Sequence, residues 1–292
     1  MNICPVHHLD AFSDKPGMGN PAGVVVDAAH LDDEAMQRIA KAVGFNETVF
    51  ILPPREKADY RFRFFTPGHE MPLCGHATVA ATFHLGSEAG TSREFTIETL
   101  AGVLPVAYNA VDATVTMRQA APRFESFAGS ATSLAEILGI GPGEIRTDLS
   151  VVYGSTGTWT LLVPVRSEQT LRAMRPKTER FPEVLREMPR ASVHPFAVTP
   201  EAEGYDFSAR HFSSPFSGTI EDPVTGTASG VMGAYAMTHL FPAEAAKRFV
   251  IAQGEDVGRD GRVFVDVARD GNEWRVSISG QAAATGVLSI AY

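Results

Sequence analysis

Apolar and polar side chains alternate from Tyr60 to Phe65, with Phe62 and Phe64 set against Arg61 and Arg63. That period of two predicts a half-buried strand. Pro67 and Pro72 stop it and force an extended loop. Beyond Gly75 the period changes, and Ala77, Ala80, Ala81 and Leu85 form an apolar helical stripe. Leu31 to Val43 predicts a helix that starts on acidic residues and ends at Gly44 in the left-handed conformation. Glu47 to Leu52 reads as a strand with Val49 and Ile51 on one face and Phe50 and Leu52 on the other. Both faces are apolar, so it should be buried. Val151 to Val165 predicts a strand pair turning at Ser155-Thr156-Gly157. Gln169 to Arg190 predicts basic helical segments interrupted at Pro176 and Pro182, and residues 120–131 read as a connector.

The pattern is written twice. Glu70-Met71-Pro72-Leu73-Cys74-Gly75-His76-Ala77-Thr78 aligns without a gap on Glu221-Asp222-Pro223-Val224-Thr225-Gly226-Thr227-Ala228-Ser229. Extended stretches precede both copies, Tyr60 to Pro67 and Phe207 to Pro215. Small and apolar runs follow them, with Val231, Ala234, Tyr235 and Met237 packing the second helix, and strand-like Phe95 to Glu98 and Phe249 to Ala252 come next. Each half therefore offers a glycine loop feeding a helix N-terminus.

The chain of 292 residues fits about two domains and is 44% hydrophobic and 20% charged, a globular composition. Net charge is -9, and no Lys/Arg block occurs, so nucleic acid and anionic membrane are not expected partners. Two cysteines, Cys4 and Cys74, are too few for a disulfide framework and suit a reducing cytoplasm. No apolar run approaches the roughly 18 residues of a membrane span. A soluble, cytoplasmic protein is the expectation.

Three ionisable groups invite chemistry. Glu47 stands at the mouth of a buried strand, where a carboxyl group suits taking and returning a proton; equally, it ends a strand at the surface. His76 lies in the first glycine loop and either exchanges a proton near neutral pH or bonds backbone. Asp222 precedes Pro223, where aspartate is commonly a turn former. Cys74 is a nucleophile or a small loop residue. No Lys or Arg occurs from Thr66 to Ser92 or from His211 to Ala246. An anion held there would lean on backbone N–H groups and positive helix ends, and two such ends facing one cleft would suit a small anionic, carboxylated substrate. His76 aligns with Thr227 and Met71 with Asp222, so the halves offer different groups, as directional proton transfer requires. No dinucleotide fingerprint, Walker sequence or metal-spaced His/Cys cluster occurs, and neither cofactor nor metal is expected.

Asp10-Ala11-Phe12, Gly19-Asn20-Pro21-Ala22-Gly23-Val24, Asn46-Glu47-Thr48-Val49-Phe50, Phe65-Thr66-Pro67, Leu73-Cys74-Gly75-His76-Ala77-Thr78 and Glu221-Asp222-Pro223-Val224-Thr225-Gly226 together resemble the PhzF-like family of phenazine-biosynthesis isomerases. The resemblance implies an α+β, diaminopimelate-epimerase-like fold: two pseudo-symmetric lobes, each a curled, mostly antiparallel sheet around a central helix. Residues 1–119, completed by 285–292, would form the N-terminal lobe and 120–284 the C-terminal lobe. The family's catalytic set falls on Glu47, His76 and Asp222, and substrate contacts on Asn20, Cys74, Gly75, Ala77, Gly226 and Thr227. The implied activity is a cofactor-independent proton shift on a small carboxylated alicyclic metabolite by general acid/base catalysis, in a homodimer. Thr227 stands where the family usually has Ser, and Ser229 where many relatives have His. Epimerase, racemase or dehydratase chemistry on an amino or hydroxy acid, with Cys74 as an acid/base group, is the alternative enzyme reading. A metabolite-binding or interaction protein without activity is the third.

Overall fold

The computed structural model describes residues 2–199 and 203–292. Two compact units divide the chain, Met1–Arg118 with Ser279–Tyr292, and Gln119–Ile278.

The first unit contains β1 (Ile3–Ala11), β2 (Asn20–Val25), α1 (Asp33–Val43), β3 (Glu47–Leu52), β4 (Tyr60–Phe65), β5 (Glu70–Met71), α2 (Gly75–Ala89), β6 (Arg93–Thr99), β7 (Gly102–Asn109) and β8 (Thr114–Arg118). Its sheet runs β1–β2 antiparallel, β2–β3 parallel, β3–β4 antiparallel, β4–β6 parallel, then β6–β7 and β7–β8 antiparallel. The second unit contains β9 (Arg123–Ser126), α3 (Ala131–Leu138), β10 (Val152–Ser155), β11 (Trp159–Pro164), α4 (Glu168–Ala173), α5 (Phe181–Val184), β12 (Ser192–Val198), β13 (Phe207–Ala209), α6 (Gly226–His239), β14 (Ala246–Gln253), β15 (Gly261–Asp270) and β16 (Glu273–Gly280). Here β9–β10 and β10–β11 are antiparallel, β11–β12 parallel, β12–β13 antiparallel, β13–β14 parallel and β14–β15 antiparallel. The chain then returns to the first unit as β17 (Ala282–Ala291), antiparallel to β1. With β17 added, both units follow one order of pairings. The ungapped repeat is therefore a repeat of topology.

In each unit the repeated helix is the crossover between two parallel strands, α2 joining β4 to β6 and α6 joining β13 to β14. Such a helix begins just past the carboxyl end of a strand, where open α/β sheets bind ligands. Neither helix is the one-sided stripe that the sequence predicts. Thr78, Val79 and Thr82 of α2 are buried beside Ala77, Ala80 and Ala81, while Leu85 is only half-buried. In α6 every residue from Ala228 to Met237 is buried. The reason is enclosure: α2 packs against β1, β2, β3, β7 and β8, and α6 against β10, β14 and β15. Glycine makes the closeness possible. A Cβ on Gly86 would lie 2.2 Å from Tyr108 Cγ, and one on Gly233 2.6 Å from Val265 Cγ1.

The other face of the first unit's sheet is covered by α1. Asp32 caps that helix by accepting from Ala35 N at 2.8 Å, and Gly44 closes it at φ 74°. Met36, Ile39 and Ala40 pack with Phe50 and Phe65, each large buried side chain contributing roughly 1.5–3 kcal/mol. With α1 on one side and α2 on the other, β3 is buried on both faces as its pattern predicts. The same cover corrects the reading of β4. Arg63 is not solvated but buried beneath α1, paired with Glu70.

Two further expectations change. Pro182 starts α5 in its first turn rather than interrupting a helix, because its missing N–H is unneeded there. Residues 123–126 are not a bare connector but an edge strand against β10. Their side chains are exposed, so no hydrophobic pattern marks them.

Candidate active site

Alternation in β3 sets Glu47 on the face of Val49, the side covered by α2. Glu47 is the first residue of β3, beside Ala22 of β2, and its side chain keeps only 14% of its exposure. Cys74 is the residue before α2 and adopts extended backbone angles, so Gly75 and His76 form the first turn. Asn20 opens β2 and is fully buried. Three segments distant in sequence thus deliver four polar side chains, Asn20, Glu47, Cys74 and His76, to one spot.

The geometry there is specific. His76 Nε2 lies 3.2 Å from Glu47 Oε2. Asn20 Nδ2 lies 3.2 Å from His76 Nδ1. Because Asn20 Nδ2 can only donate, Nδ1 accepts and the ring proton sits on Nε2, the nitrogen nearer Glu47. Cys74 Sγ lies 3.4 Å from Nδ1 and 3.9 Å from Nε2. Thr78 fastens the helix start, its N–H and its hydroxyl both donating to Cys74 O at 3.0 and 2.7 Å. The surface reading of Glu47 gives way to a carboxylate held against a histidine.

The aligned segment of the second unit places Asp222 differently. Asp222 N donates to His211 O at 2.9 Å. Thr225 Oγ1 donates to Asp222 Oδ2 at 2.5 Å, and Gln253 Nε2 donates to Asp222 O at 2.9 Å. Gln253 Oε1 accepts from Thr225 N at 3.1 Å. Gly226 and Thr227 form the first turn of α6, and Thr227 O accepts from Thr156 Oγ1 at 3.0 Å. Behind this loop His211 and His194 are buried with their Nδ1 atoms 3.2 Å apart. Burial pushes His211 down to about 4, partly offset by Asp222, and pushes His194 well below the usual imidazole range, with His211 adding to the effect.

Of the residues singled out from sequence, Asn20, Glu47, Cys74, Gly75, His76 and Ala77 belong to the first unit, and Asp222, Gly226 and Thr227 to the second. Sequence reasoning does not find Gln253, Thr225 as the partner of Asp222, or the two arginines that tie the loops. Asp10 was quoted only for its motif. It is fully buried and accepts from Gly17 N at 2.7 Å and from Thr285 Oγ1 at 2.9 Å, fixing the loop that leads to Asn20. Nor does spacing show that Glu47, Cys74 and His76 form a mixed-donor trio. Among the described residues no helix is long and apolar enough to cross a membrane.

The chain is 46% identical to the uncharacterized isomerase YfhB of Bacillus subtilis, covering 99% of this chain and 100% of that protein. It is 31% identical to the trans-2,3-dihydro-3-hydroxyanthranilate isomerase of Pseudomonas aeruginosa, covering 94% and 95%. The crystal structure of a PhzF-family phenazine biosynthesis protein from Bacillus anthracis superimposes with a TM-score of 0.95 at 45% identity, covering all of both chains. The fold is diaminopimelate-epimerase-like. Residues 9–286 match the family described as phenazine biosynthesis-like protein, PhzC-PhzF, and with the relatives aligned over nearly their whole length the chain belongs to that family.

Proposed function

We propose that this protein is a cofactor-independent isomerase that moves a proton between two carbons of a small carboxylated alicyclic metabolite. Glu47 is the base. Its carboxylate takes a proton from carbon, the C–H electron pair enters the adjoining unsaturated system, and the Glu47 carboxylic acid returns the proton at another carbon. The close approach of Glu47 and His76, 3.2 Å apart with the ring oriented by Asn20, is the observation that carries this reading. It holds the carboxylate of Glu47 in one position beside the helix start that feeds the site. Backbone N–H groups of Gly75, His76 and Ala77, at a helix start without basic side chains, suit the substrate's carboxylate. In the second unit Asp222 and Thr227, with the start of α6, occupy the equivalent loop and serve as positioning or relay groups. A cytoplasmic homodimer completes the proposal; both cysteines are free thiols, which fits a reducing compartment.

The test is Glu47→Gln, nearly isosteric, with trans-2,3-dihydro-3-hydroxyanthranilate as probe in deuterated water. General acid/base catalysis contributes roughly 10²–10⁴-fold, so deuterium entry at carbon should fall by at least that lower factor. A variant that exchanges as fast as wild type removes Glu47 from the role. Should wild type ignore this probe, a thermal-shift series of small alicyclic and aromatic carboxylates identifies the acceptable class through stabilisation by binding.

One contact favours a second reading. Cys74 Sγ sits 3.4 Å from His76 Nδ1, which would suit a thiol acting as an acid/base group in epimerase or racemase chemistry. Under that reading Cys74→Ser abolishes turnover; under the glutamate mechanism the loss is modest.

A further inference from the structure

Glu47, Cys74 and His76 bring a carboxylate oxygen, a sulfur and a ring nitrogen within 4.8 Å of one another. His76 Nε2 is 3.2 Å from Glu47 Oε2 and 3.9 Å from Cys74 Sγ. Zinc binds nitrogen and oxygen at roughly 2.0–2.2 Å and sulfur at about 2.3 Å in a tetrahedron, which sets its ligand atoms roughly 3.3–3.6 Å apart. The nitrogen–oxygen edge is already met, the nitrogen–sulfur edge is a few tenths of an ångström long, and all three donors lie within 4.8 Å, so small side-chain adjustments complete the tetrahedral face. Each is fixed by regular structure: Glu47 by the start of β3, Cys74 and His76 by the start of α2. Sulfur with imidazole and one carboxylate selects a borderline-soft ion and excludes magnesium or calcium, which require oxygen ligands. A thiolate and a carboxylate also cancel the double charge of the ion, which a site this buried requires.

We propose that Glu47, Cys74 and His76 bind Zn²⁺ with the fourth position open, and that the ion thereby inhibits the enzyme reversibly. The inhibitory half rests on the reading of Glu47 as the base; the binding half does not. On binding, the Cys74 S–H bond breaks, its proton passes to solvent and a zinc–sulfur bond forms. The single ring proton of His76 moves from Nε2 to Nδ1, leaving the Nε2 lone pair to bind zinc and the ring neutral. Asn20 then serves as the orienting partner, turning its amide oxygen to accept from Nδ1 where its nitrogen now donates. No electron is transferred, and the ion exchanges only water for protein ligands.

Imidazoles at the surface could also take a metal, since the His7 and His84 rings lie 4.3 Å apart. They offer no sulfur, so a thiolate signature separates the two. Full-length, chelator-treated protein is titrated with Co²⁺ as the spectroscopic stand-in. The expected result is one equivalent bound, a near-ultraviolet thiolate-to-cobalt band with tetrahedral visible bands, displacement by one equivalent of Zn²⁺, and no displacement by excess Mg²⁺. Cys4→Ser keeps the band. Cys74→Ser loses it and binds Zn²⁺ at least about tenfold more weakly, and Asn20→Ala weakens binding by roughly 10–100-fold. Circular dichroism melts confirm that each variant folds, and His76→Gln gives an independent route to loss of the tetrahedral spectrum. A band that survives Cys74→Ser, or no stoichiometric binding to wild type, overturns the site. These readouts need no turnover. A cobalt band together with unimpaired exchange by Glu47→Gln keeps the metal site and removes the base; lost exchange without a band does the reverse.

Discussion

Arg63 grips Glu70 with two prongs, Nε to Oε1 and Nη2 to Oε2, both at 2.7 Å. The same fork recurs in the second unit between Arg210 and Glu221, at 2.9 and 2.6 Å. Each arginine also lies over the ring of a phenylalanine two residues later, Phe65 at 5.1 Å and Phe212 at 4.7 Å. Both glutamates begin the repeated segment. The pair thus ties the end of a strand to the start of the loop that feeds the helix, and it does so twice. That loop holds Cys74, Gly75 and His76 in one unit and Asp222 to Gly226 in the other.

The two forks should not be worth the same. Breaking a buried pair leaves a charge uncompensated and costs about 3–5 kcal/mol. Glu221 keeps 10% of its exposure and Glu70 24%, and Arg63 retains Asp33 at 2.6 Å when Glu70 is lost, whereas the second acidic partner of Arg210, Asp256, stands farther off at 3.7 Å. Glu221→Leu should therefore lower unfolding stability by about 3 kcal/mol and Glu70→Leu by distinctly less. Urea denaturation measures both. Equal losses would show that burial does not set their value.

Much of this architecture is legible from residues alone, because prolines and glycines punctuate it. Pro67, Pro72 and Gly75 mark where β4 ends and α2 begins, and the aligned Pro215, Pro223 and Gly226 repeat the message. Burial from above is not legible. Alternation assigns Arg63 to solvent because it cannot know that α1 folds across that face. The meeting of Glu47 with Cys74 and His76 depends on strand order, β2 beside β3 with α2 packed across both, which local pattern does not encode. Edge strand β9 is equally silent, since its exposed residues carry no hydrophobic signal.

The buried His194–His211 pair predicts acid sensitivity. An unfolded imidazole takes a proton at about pH 6.5, whereas burial holds His211 at about 4 when folded, with Asp222 opposing. Between those values the unfolded chain binds a proton that the fold refuses. Stability is then complete above about pH 6.5 and falls as pH drops toward 4, by about 1.4 kcal/mol per unit for each histidine. His194, shifted in the same direction, adds to the slope. Guanidinium titrations across this window should show the decline, and His211→Gln should flatten it by about one proton. Identical slopes for variant and wild type would refute the assignment.

Asn20 should matter through His76 rather than through substrate. Its side chain fixes the ring proton on Nε2, the nitrogen 3.2 Å from Glu47. A hydrogen bond coupled to a charged group contributes about 1.5–3 kcal/mol, so Asn20→Ala should reduce turnover roughly 10–100-fold. Substrate KM should change little, and the pH–rate profile should shift because the ring is free to change tautomer. A rise in KM with turnover unchanged would place Asn20 in substrate binding instead.

Gly75 offers a sharper separation of fold from function. Beyond its chain neighbours and its own helix backbone no atom lies within 4 Å of where a Cβ would stand, and its backbone does not have the positive φ that requires glycine. Nothing in the packing calls for glycine, and alanine is the better helix former by up to about 1 kcal/mol. Gly75→Ala should therefore leave the melting temperature equal to wild type or slightly higher. If the α2 N-terminus holds the substrate's carboxylate, the added methyl occupies space that the anion needs. KM for the accepted substrate should then rise at least about tenfold, the equivalent of about 1.4 kcal/mol. Unchanged kinetics in this well-folded variant would move the carboxylate away from α2 and leave Glu47 to act on a substrate held elsewhere.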